Sequence, residues 1–261
     1  MLMDHRFRDY RRILLAALCL LAALPASANS LPLPFSADYA AYRGSLHLAD
    51  SHFSLEKVGP HTYVYQSRTE PVGLLAMLRS DVITESSRFN YTDGQFRPIS
   101  YHYSHTGGTH DKTASLLFDW DTDTVKSIYK DDTTELDLKP GMLDRFVAQL
   151  ALSRDIANDK LKEHYTVVDQ GKIKIYQLHR GQTKSFDTPA GRFDAILVER
   201  IDGKDKTRFW CAPKLDYVPV VMEKVRDGKP NIRMELTQFS LASKSKSQAG
   251  QANAESDKPK S

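Results

Sequence analysis

The stretch "TRFWCAPKLDYVPVV", Thr207 to Val221, predicts a strand, a turn and a returning strand. Alternation places Thr207, Phe209 and Cys211 on one face of the first strand, which is typical of a strand with one buried side. Pro213 ends that strand, because proline cannot donate a hydrogen bond to a neighbouring strand. A second apolar run then leads to Val221. The stretch therefore indicates an antiparallel hairpin.

Cys211 raises a separate question, because Cys19 in the leader is the only other cysteine of the chain. Without a second cysteine in the rest of the chain, no intramolecular disulfide forms. Three interpretations are open for Cys211: a packed core residue, a redox or intermolecular partner, and a nucleophile. A reactive cysteine needs an electropositive surrounding. The alternating strand favours the core, where a free cysteine packs as a small apolar residue.

The same alternation recurs along most of the chain. Turn dipeptides separate the runs at Asp93-Gly94, Gly107-Gly108, Asp202-Gly203 and Asp227-Gly228, and such pairs adopt the positive φ angles of tight hairpins. We expect consecutive antiparallel hairpins and roughly a dozen strands. Further strand-like runs are "HTYVYQSRTE" (61–70), "RPISYHYSH" (97–105), "TASLLFDWD" (113–121), "GKIKIYQLHRG" (171–181), "RFDAILVERIDG" (192–203) and "NIRMELTQFSL" (231–241).

One segment, "PGMLDRFVAQLALSRDIAND" (140–159), has a helical period instead. Its carboxylate Asp144 lies in the predicted first turn, where it favours the helix dipole. The predicted fold is mainly β: two sheet-forming halves in a strongly curved antiparallel sheet, or open β-barrel-like wrap, crossed by one amphipathic helix. The apolar residues at helical spacing are Leu143, Phe146, Val147, Leu150 and Ile156.

The two ends of the chain differ from its middle. Residues 1–28 combine arginines, the apolar run "ILLAALCLLAAL" and the small residues "PASA", which predicts a secretory signal peptide cut after Ala28. An uncleaved anchor is the alternative, whereas Leu18 before Cys19 does not fit a lipoprotein signal. Residues 243–261 have no Val, Ile, Leu, Met or aromatic side chain and predict a disordered polar tail. A single β-rich domain is expected over 29–242, in the periplasm, with no transmembrane segment after signal removal.

Charge gives no case for nucleic acid as a partner. The chain has 36 Lys and Arg and 33 Asp and Glu, and each terminal segment takes four of the first and two of the second. Residues 29–242 therefore hold 28 basic and 29 acidic side chains. A nucleic-acid-binding domain is expected to carry a basic excess on its surface.

Two clusters raise the question of a metal. His102, His105 and His110 lie close together in sequence, but alternation sends the first two to opposite faces, which favours solvated hairpin histidines. The segment "FDWDTDTV" has Asp119 at its second position, yet the glycine and glutamate of a calcium loop are missing. It predicts a hairpin turn in which aspartate side chains accept from nearby backbone N–H groups. No metal site and no cofactor is predicted.

Motifs of catalysis give no positive case for an enzyme. The chain has no G-x-S-x-G elbow, no zinc-binding H-E-x-x-H and no phosphate-binding glycine loop. We therefore predict no catalytic residue, leave the question of an enzyme open, and favour a non-enzymatic function.

Several stretches together resemble the bacterial exported domain-of-unknown-function family 3108. They are "SSRFNYTDGQFRPISYHYSHTGGTHDKTASLLFDWDTDTV" (86–125), "LDRFVAQLAL" (143–152), "YTVVDQGKIKIYQLHRGQTKSFDTPAGRFDAILVER" (165–200) and "TRFWCAPKLDYVPVVMEKVRDGK" (207–229). The resemblance covers roughly residues 35–239. It implies an exported bacterial domain dominated by antiparallel strands, and it implies no established reaction and no catalytic residues.

The apolar run "PVGLLAMLRS" (71–80) has two interpretations. It is either buried core, as runs of this size usually are, or a functional segment: a flexible lip over an apolar cavity, or a patch that touches a membrane or partner. With the predicted helix it would line a cleft between helix and sheet, which is the default location of a ligand site. The residues predicted to line a ligand site are Val72, Leu74, Leu75, Met77, Leu78, Phe146, Val147 and Leu150.

Three functions are therefore compared. The first is an exported envelope protein that binds an apolar ligand, a lipid or acyl chain, in the concave face of the sheet. The second is an envelope structural or protein-interaction module with a fully packed core. The third is a hydrolase or redox enzyme that uses Cys211. Architecture alone does not decide among them.

Overall fold

Fifteen strands form one continuous sheet in the computed structural model, which describes residues 31, 33–78, 80–108, 111–130, 132–202 and 205–242. The order across the sheet is β8-β7-β6-β5-β4-β3-β2-β1-β15-β14-β13-β12-β11-β10-β9. The strands are β1 Phe35–Arg43, β2 Leu46–Lys57, β3 Thr62–Pro71, β4 Val82–Thr92, β5 Gln95–Thr106, β6 Lys112–Asp119, β7 Thr124–Tyr129, β8 Asp132–Asp137, β9 Leu143–Asp144, β10 His164–Asp169, β11 Lys172–Thr188, β12 Gly191–Asp202, β13 Asp205–Ala212, β14 Val218–Arg226 and β15 Lys229–Leu241.

The two predicted halves are parts of this one sheet. Each half is a run of antiparallel hairpins, and the halves meet where β1 pairs with β15, from Phe35 opposite Leu241 to Tyr42 opposite Arg233. The short strand β9 is parallel to β10. The predicted succession of antiparallel hairpins is confirmed.

The sheet curls back on itself. Ser87 of β4 donates a hydrogen bond of 2.7 Å to Oδ1 of Asp144 in β9, although these strands lie ten places apart in the sheet order. On the same side, a Cβ on Gly171 in the turn between β10 and β11 would lie 3.6 Å from Oγ1 of Thr134 in β8. A glycine with φ of +72° suits this tight turn. The curvature brings both ends of the sheet together around one interior.

Two helices accompany the sheet, α1 Gly73–Leu78 and α2 Val147–Ala157. The predicted helix is thus correct in place, but it begins at Val147. Leu143, expected on its apolar face, pairs with Val167 in the sheet instead. Asp144, predicted in the first turn of the helix, lies in β9 instead, before the helix begins. Its carboxylate accepts hydrogen bonds of 2.8 Å from the backbone N–H groups of Phe146 and Val147.

Helix α2 fills the interior of the curled sheet. Eight of its eleven residues are buried, which is typical of a helix surrounded by protein and more than one amphipathic face requires. Just before it, the ring of Phe146 stacks on Tyr65 of β3 at 4.1 Å between ring centres. The mainly β fold with a strongly curved, barrel-like antiparallel sheet is confirmed. Of its two helices, α2 is the predicted one, and it is buried on more than the single amphipathic face that was expected.

The hairpin of residues 207–221 has the predicted form. Strand β13 ends at Ala212, a single 3-10 turn covers Pro213–Leu215, and β14 follows. Asp216 closes the turn with φ of +55°. The predicted turns at Asp93-Gly94 and Asp227-Gly228 also form, each with two consecutive positive φ angles. Gly203 lies outside the described residues.

The outer face of β13 is buried as well. Trp210 points away from α2, and the ring of Phe186 on β11 meets it edge-on at 4.8 Å. The tip of the hairpin between β11 and β12 reaches β15, where the N–H of Ala190 donates to the carbonyl of Leu236 at 3.3 Å. This second layer explains why β13 is buried on both faces near Cys211.

Candidate functional site

The apolar run of residues 72–78 lies on the surface. Leu74, Met77 and Leu78 are 79%, 82% and 82% exposed, and α1 buries none of its residues. Val72 and Leu75 are half-buried. The interpretation of this run as packed core is therefore wrong. The interior of the sheet is filled by α2, so the short helix α1 lies outside it. The clefts described below are lined by other residues.

The predicted lining residues on the helix side lie in the interior. Phe146, Val147 and Leu150 are all almost fully buried. Phe146 forms part of the wall of a large cleft. Leu150 lines a much smaller space of about 10 Å³, and Val147 packs in the core. The structure thus places the two predicted groups, α1 and the start of α2, in different surroundings.

Cys211 belongs to the core. The side chain is fully buried, and burial raises the pKa of its thiol to about 12. A thiol with a raised pKa carries almost no thiolate at neutral pH, which is the reactive form. The core interpretation of Cys211 is confirmed.

In the two clusters considered as metal sites, Asp119 and His105 form hydrogen bonds within the protein. Asp119 accepts hydrogen bonds from the backbone N–H groups of Thr122 and Asp121, and these bonds lower its pKa. The predicted hairpin turn is confirmed. His105 bonds through Nε2 to Asp81 at 2.9 Å, while His110 lies outside the described residues. Within the part of the chain that the structure describes, no three His, Cys, Asp or Glu side chains are grouped to hold a metal.

A large cleft opens between the first turn of α2 and the concave face of the sheet. Its volume is about 650 Å³, and we call it the inner cleft. Strands β2, β4 and β10 to β15 contribute to its walls, so most of the curled sheet takes part. Its apolar side chains include Phe53, Ile83, Phe146, Phe209, Met222 and Met234.

Charged side chains also line the inner cleft. Arg145 donates from Nε to Glu85 at 2.7 Å, and the hydroxyl of Tyr101 donates to the same oxygen at 2.9 Å. Burial and the Glu85 carboxylate both raise the pKa of Tyr101. Lys174 donates to Asp169 at 2.7 Å. These cations are compensated by carboxylates of the same wall.

Arg200 on β12 differs from its neighbours. Nη2 donates to Oγ1 of Thr207 at 3.1 Å, and the guanidinium carbon lies 4.4 Å from the ring centre of Tyr176. The buried Nε has no hydrogen-bond partner among the described residues, and Arg200 joins none of the ion pairs of those residues. A guanidinium has five N–H donors, so this one retains unused bonding capacity.

Asp144 is a second unusual group beside the start of α2. It is fully buried, and its Oδ1 accepts three hydrogen bonds while its Oδ2 has no partner among the described residues. Burial raises the pKa of the carboxyl to about 6, although the bonds from Ser87, Val147 and Phe146 favour the charged form. Its donors are neutral groups, so the charge is held without a cation in direct contact.

A second cleft lies beside the last turn of α2, with a volume of about 310 Å³. There Arg154 bonds to the Asp155 carboxylate and to the carbonyl oxygen of Gly94. The other Asp155 oxygen accepts from the hydroxyl of Tyr165 at 2.5 Å. Arg97 stacks on Trp120 at the rim. Arg154 and Asp155 neutralise each other, whereas Arg97 and Lys162 of the same wall contact the aromatic rings of Trp120 and Tyr165.

Sequence reasoning missed the polar residues of the inner cleft. Arg200, Thr207 and Lys224 come from three different strands, and alternation alone describes each as an ordinary residue of a polar face. The signal that identifies them is strand pairing: Arg200 is opposite Thr207, and Thr207 is opposite Lys224. A register has to be known before such a row becomes visible.

The described helices are too short or too polar to cross a bilayer. No curated protein sequence matches the chain. Among solved structures, the chain is similar to the crystal structure of a beta-barrel-like protein of the domain of unknown function DUF1849 from Brucella abortus. That match has a TM-score of 0.54 and 9% identity over 82% of this chain and 99% of the other. It concerns the fold.

A second solved structure, described as a "putative lipoprotein" from Parabacteroides distasonis, matches with a TM-score of 0.38 and 10% identity over 80% of this chain and 95% of the other. The model of the family "Protein of unknown function (DUF3108)" matches residues 36–237, which comprise most of the chain and nearly the whole sheet. The predicted family is therefore confirmed: this chain belongs to the DUF3108 family.

Proposed function

We propose that this protein is exported to the periplasm and binds an apolar chain, that of a lipid or another acyl compound, in the inner cleft. The observation that carries the proposal is the inner cleft itself, which lies between α2 and the concave face of the sheet. Its volume of about 650 Å³ falls in the range of small-molecule sites. Export is supported by the signal-peptide pattern of residues 1–28.

The apolar wall supports a flexible ligand. Met222 and Met234 are cross-strand partners on β14 and β15, and Phe209 is the partner of Met222 on β13. The three side chains form one row across the sheet, with Phe146 also in the wall. Methionine side chains adapt to irregular shapes, so this row suits an acyl chain better than a rigid planar ring.

The test combines an endogenous and an added ligand. Native mass spectrometry of protein prepared from periplasmic extract measures whether a lipid co-purifies, and a fluorescent fatty acid measures binding in solution. Met222→Trp and Met234→Trp put a bulky ring into the cleft, where it occupies the space of the bound chain. We expect each variant to weaken probe binding about tenfold or more, which corresponds to a loss of about 1.4 kcal/mol or more in binding free energy. Absence of both a co-purified lipid and probe binding would contradict the proposal.

The matched control is Leu117→Trp. Leu117 is an exposed apolar residue on β6, outside the inner cleft. We expect this variant to bind the probe as the unchanged protein does. If Leu117→Trp weakens binding as much as the two methionine variants, the probe binds elsewhere.

A second candidate function is an envelope interaction module that uses α1. The specific observation is that Leu74, Met77 and Leu78 expose their apolar side chains on one short helix. Photo-crosslinking from Met77 in cells tests it, with Leu117 as the control position. A crosslinked partner specific to position 77 would favour this candidate. The Cys211 alternative has no such support, because the thiol is buried.

A further inference from the structure

We infer that the ligand of the inner cleft is an amphiphile whose anionic group, a carboxylate or phosphate, binds between Arg200 and Lys224. The inference rests on the proposed function, because it names the chemistry of the molecule in the same cleft. Arg200 supplies the unused donors, including the buried Nε that has no partner among the described residues. Guanidinium groups bind carboxylate and phosphate through paired hydrogen bonds.

Strand pairing places the two cations on either side of a hydroxyl. Arg200 of β12 is opposite Thr207 of β13, and Thr207 is opposite Lys224 of β14. All three residues belong to the wall of the inner cleft. Neighbouring strands lie about 5 Å apart, so an anion over Thr207 is within reach of both long basic side chains.

The other charges of the cleft leave these two cations uncompensated. Arg145 is paired with Glu85 and Lys174 with Asp169. Glu223 is paired with Arg233 at 2.8 Å. Arg200 and Lys224 take part in none of the ion pairs within the described ranges, although Lys224 does act electrostatically on Asp205. The remaining charge of the wall is positive, which favours an anion over a neutral or cationic group.

The apolar row lies next to the cationic row. Each residue of the apolar row is two positions away from a residue of the neighbouring row on the same strand: Phe209 from Thr207, Met222 from Lys224 and Met234 from Ile232. Side chains two residues apart point to the same face and are separated by about 7 Å. A head group over Thr207 would therefore direct its chain across Met222 towards Phe146 and Phe53. The two adjacent rows match the two parts of an amphiphile.

The experiment is calorimetric titration of the full protein with decyl phosphate, decanoate, decanol and inorganic phosphate. We expect the two anionic amphiphiles to bind about tenfold or more tightly than decanol, because hydrogen bonds to a charged group are the stronger ones. Inorganic phosphate is expected to bind at least about tenfold more weakly than decyl phosphate, since it lacks the chain. Arg200→Leu should abolish the preference for the anionic amphiphiles over decanol.

Arg97→Leu is the matched control, because Arg97 also stacks on an aromatic ring, that of Trp120, but in the other cleft. It should keep the full preference. If the thermal melting curve shows that Arg200→Leu does not fold, Arg200→Lys replaces it in the test. Arg200→Lys keeps the charge but loses the forked donors. Its preference for the anionic amphiphiles over decanol should be smaller than that of the unchanged protein but not abolished.

The outcomes separate the two proposals. Equal affinity for decanol and the anions, or an unchanged preference in Arg200→Leu and Arg200→Lys, would overturn the anionic site while leaving apolar binding intact. Binding of none of the decyl compounds would overturn the proposed function and this inference with it. Equal affinity for inorganic and decyl phosphate would identify a free-phosphate site and overturn the amphiphile.

Discussion

The two ends of α2 differ in how the charged side chains beside them are neutralised. At its last turn, Arg154 and Asp155 neutralise each other, and Tyr165 and Gly94 satisfy their remaining bonds. Near its first turn, the carboxylate Asp144 is held by neutral donors, and Arg200 has no carboxylate partner among the described residues. Asp144 is fully buried, whereas Arg200 lies in the wall of the inner cleft. We expect the last turn of α2 to matter chiefly for stability, and we propose that the cleft wall near its first turn binds the ligand.

The largest expected effect tests the structural end. Arg154→Leu removes the cation from Asp155, whose side chain is only 2% exposed. Breaking a buried ion pair by removing one partner costs about 3–5 kcal/mol, because a buried charge is left uncompensated. Chemical denaturation should show this loss in the free energy of unfolding. Arg154→Leu combined with Asp155→Asn should lose less than the single variant, and a single-variant loss below about 1 kcal/mol would break the contrast.

The next effect concerns Asp144 and pH. Its carboxyl keeps its proton up to about pH 6 in the folded state, whereas an unfolded chain releases it near pH 4. Between these values the folded state binds more protons, so the free energy of unfolding falls as pH rises. Relative to Asp144→Asn, the unchanged protein should lose up to about 3 kcal/mol between pH 4 and pH 7.

Asp119→Asn is the control for this pH dependence. The Asp119 carboxyl has a lowered pKa, so it is ionised in both folded and unfolded states above pH 5. Its curve should therefore run parallel to that of the unchanged protein from pH 5 to pH 7. A difference between Asp144→Asn and the unchanged protein that does not vary with pH would show that Asp144 is ionised throughout.

A smaller effect is expected at Arg200. Arg200→Leu removes a hydrogen bond to Thr207 and a stacking contact with Tyr176, but it leaves no buried carboxylate behind. Such a stacking contact contributes about 0.5–1 kcal/mol, and loss of the unpaired Nε offsets part of it. Thermal and chemical unfolding should therefore change by less than about 1 kcal/mol. A loss as large as that of Arg154→Leu would make Arg200 a structural residue.

The smallest effect extends the comparison to α1. Leu74→Ser and Met77→Ser replace exposed side chains, and surface substitutions usually change stability by no more than about 0.5 kcal/mol. Leu150→Ala in the buried α2 is the matched contrast, with an expected loss of about 2–5 kcal/mol. Unfolding curves of the three variants measure this directly. A large loss at Met77 would indicate that α1 packs more closely than its exposure implies.

The fold could be predicted because its signals are local. Alternation and turn dipeptides are visible within ten residues, and the segment around Phe146 has a different period from everything near it. The inner cleft could not be predicted in this way. Arg200 and Lys224 become neighbours of Thr207 only through the pairing of three strands. The prediction that the apolar run around Leu74 is buried was wrong for a related reason. Composition shows that these side chains are apolar, but whether they are buried depends on which element fills the interior, and here that element is α2.

The pairing of β1 with β15 has a consequence for how the chain folds. Phe35 and Leu241 pair with each other although they lie at opposite ends of the sequence that forms the sheet. The other antiparallel pairs join strands that follow each other along the chain. Each half can therefore form hairpin by hairpin, but the central seam closes only when the last strand is available. Until then strand β1 presents an unpaired edge, which is prone to pair with another chain. We expect the closing of this seam to be the slow step of folding, and a chaperone that covers the edge of β1 would act there.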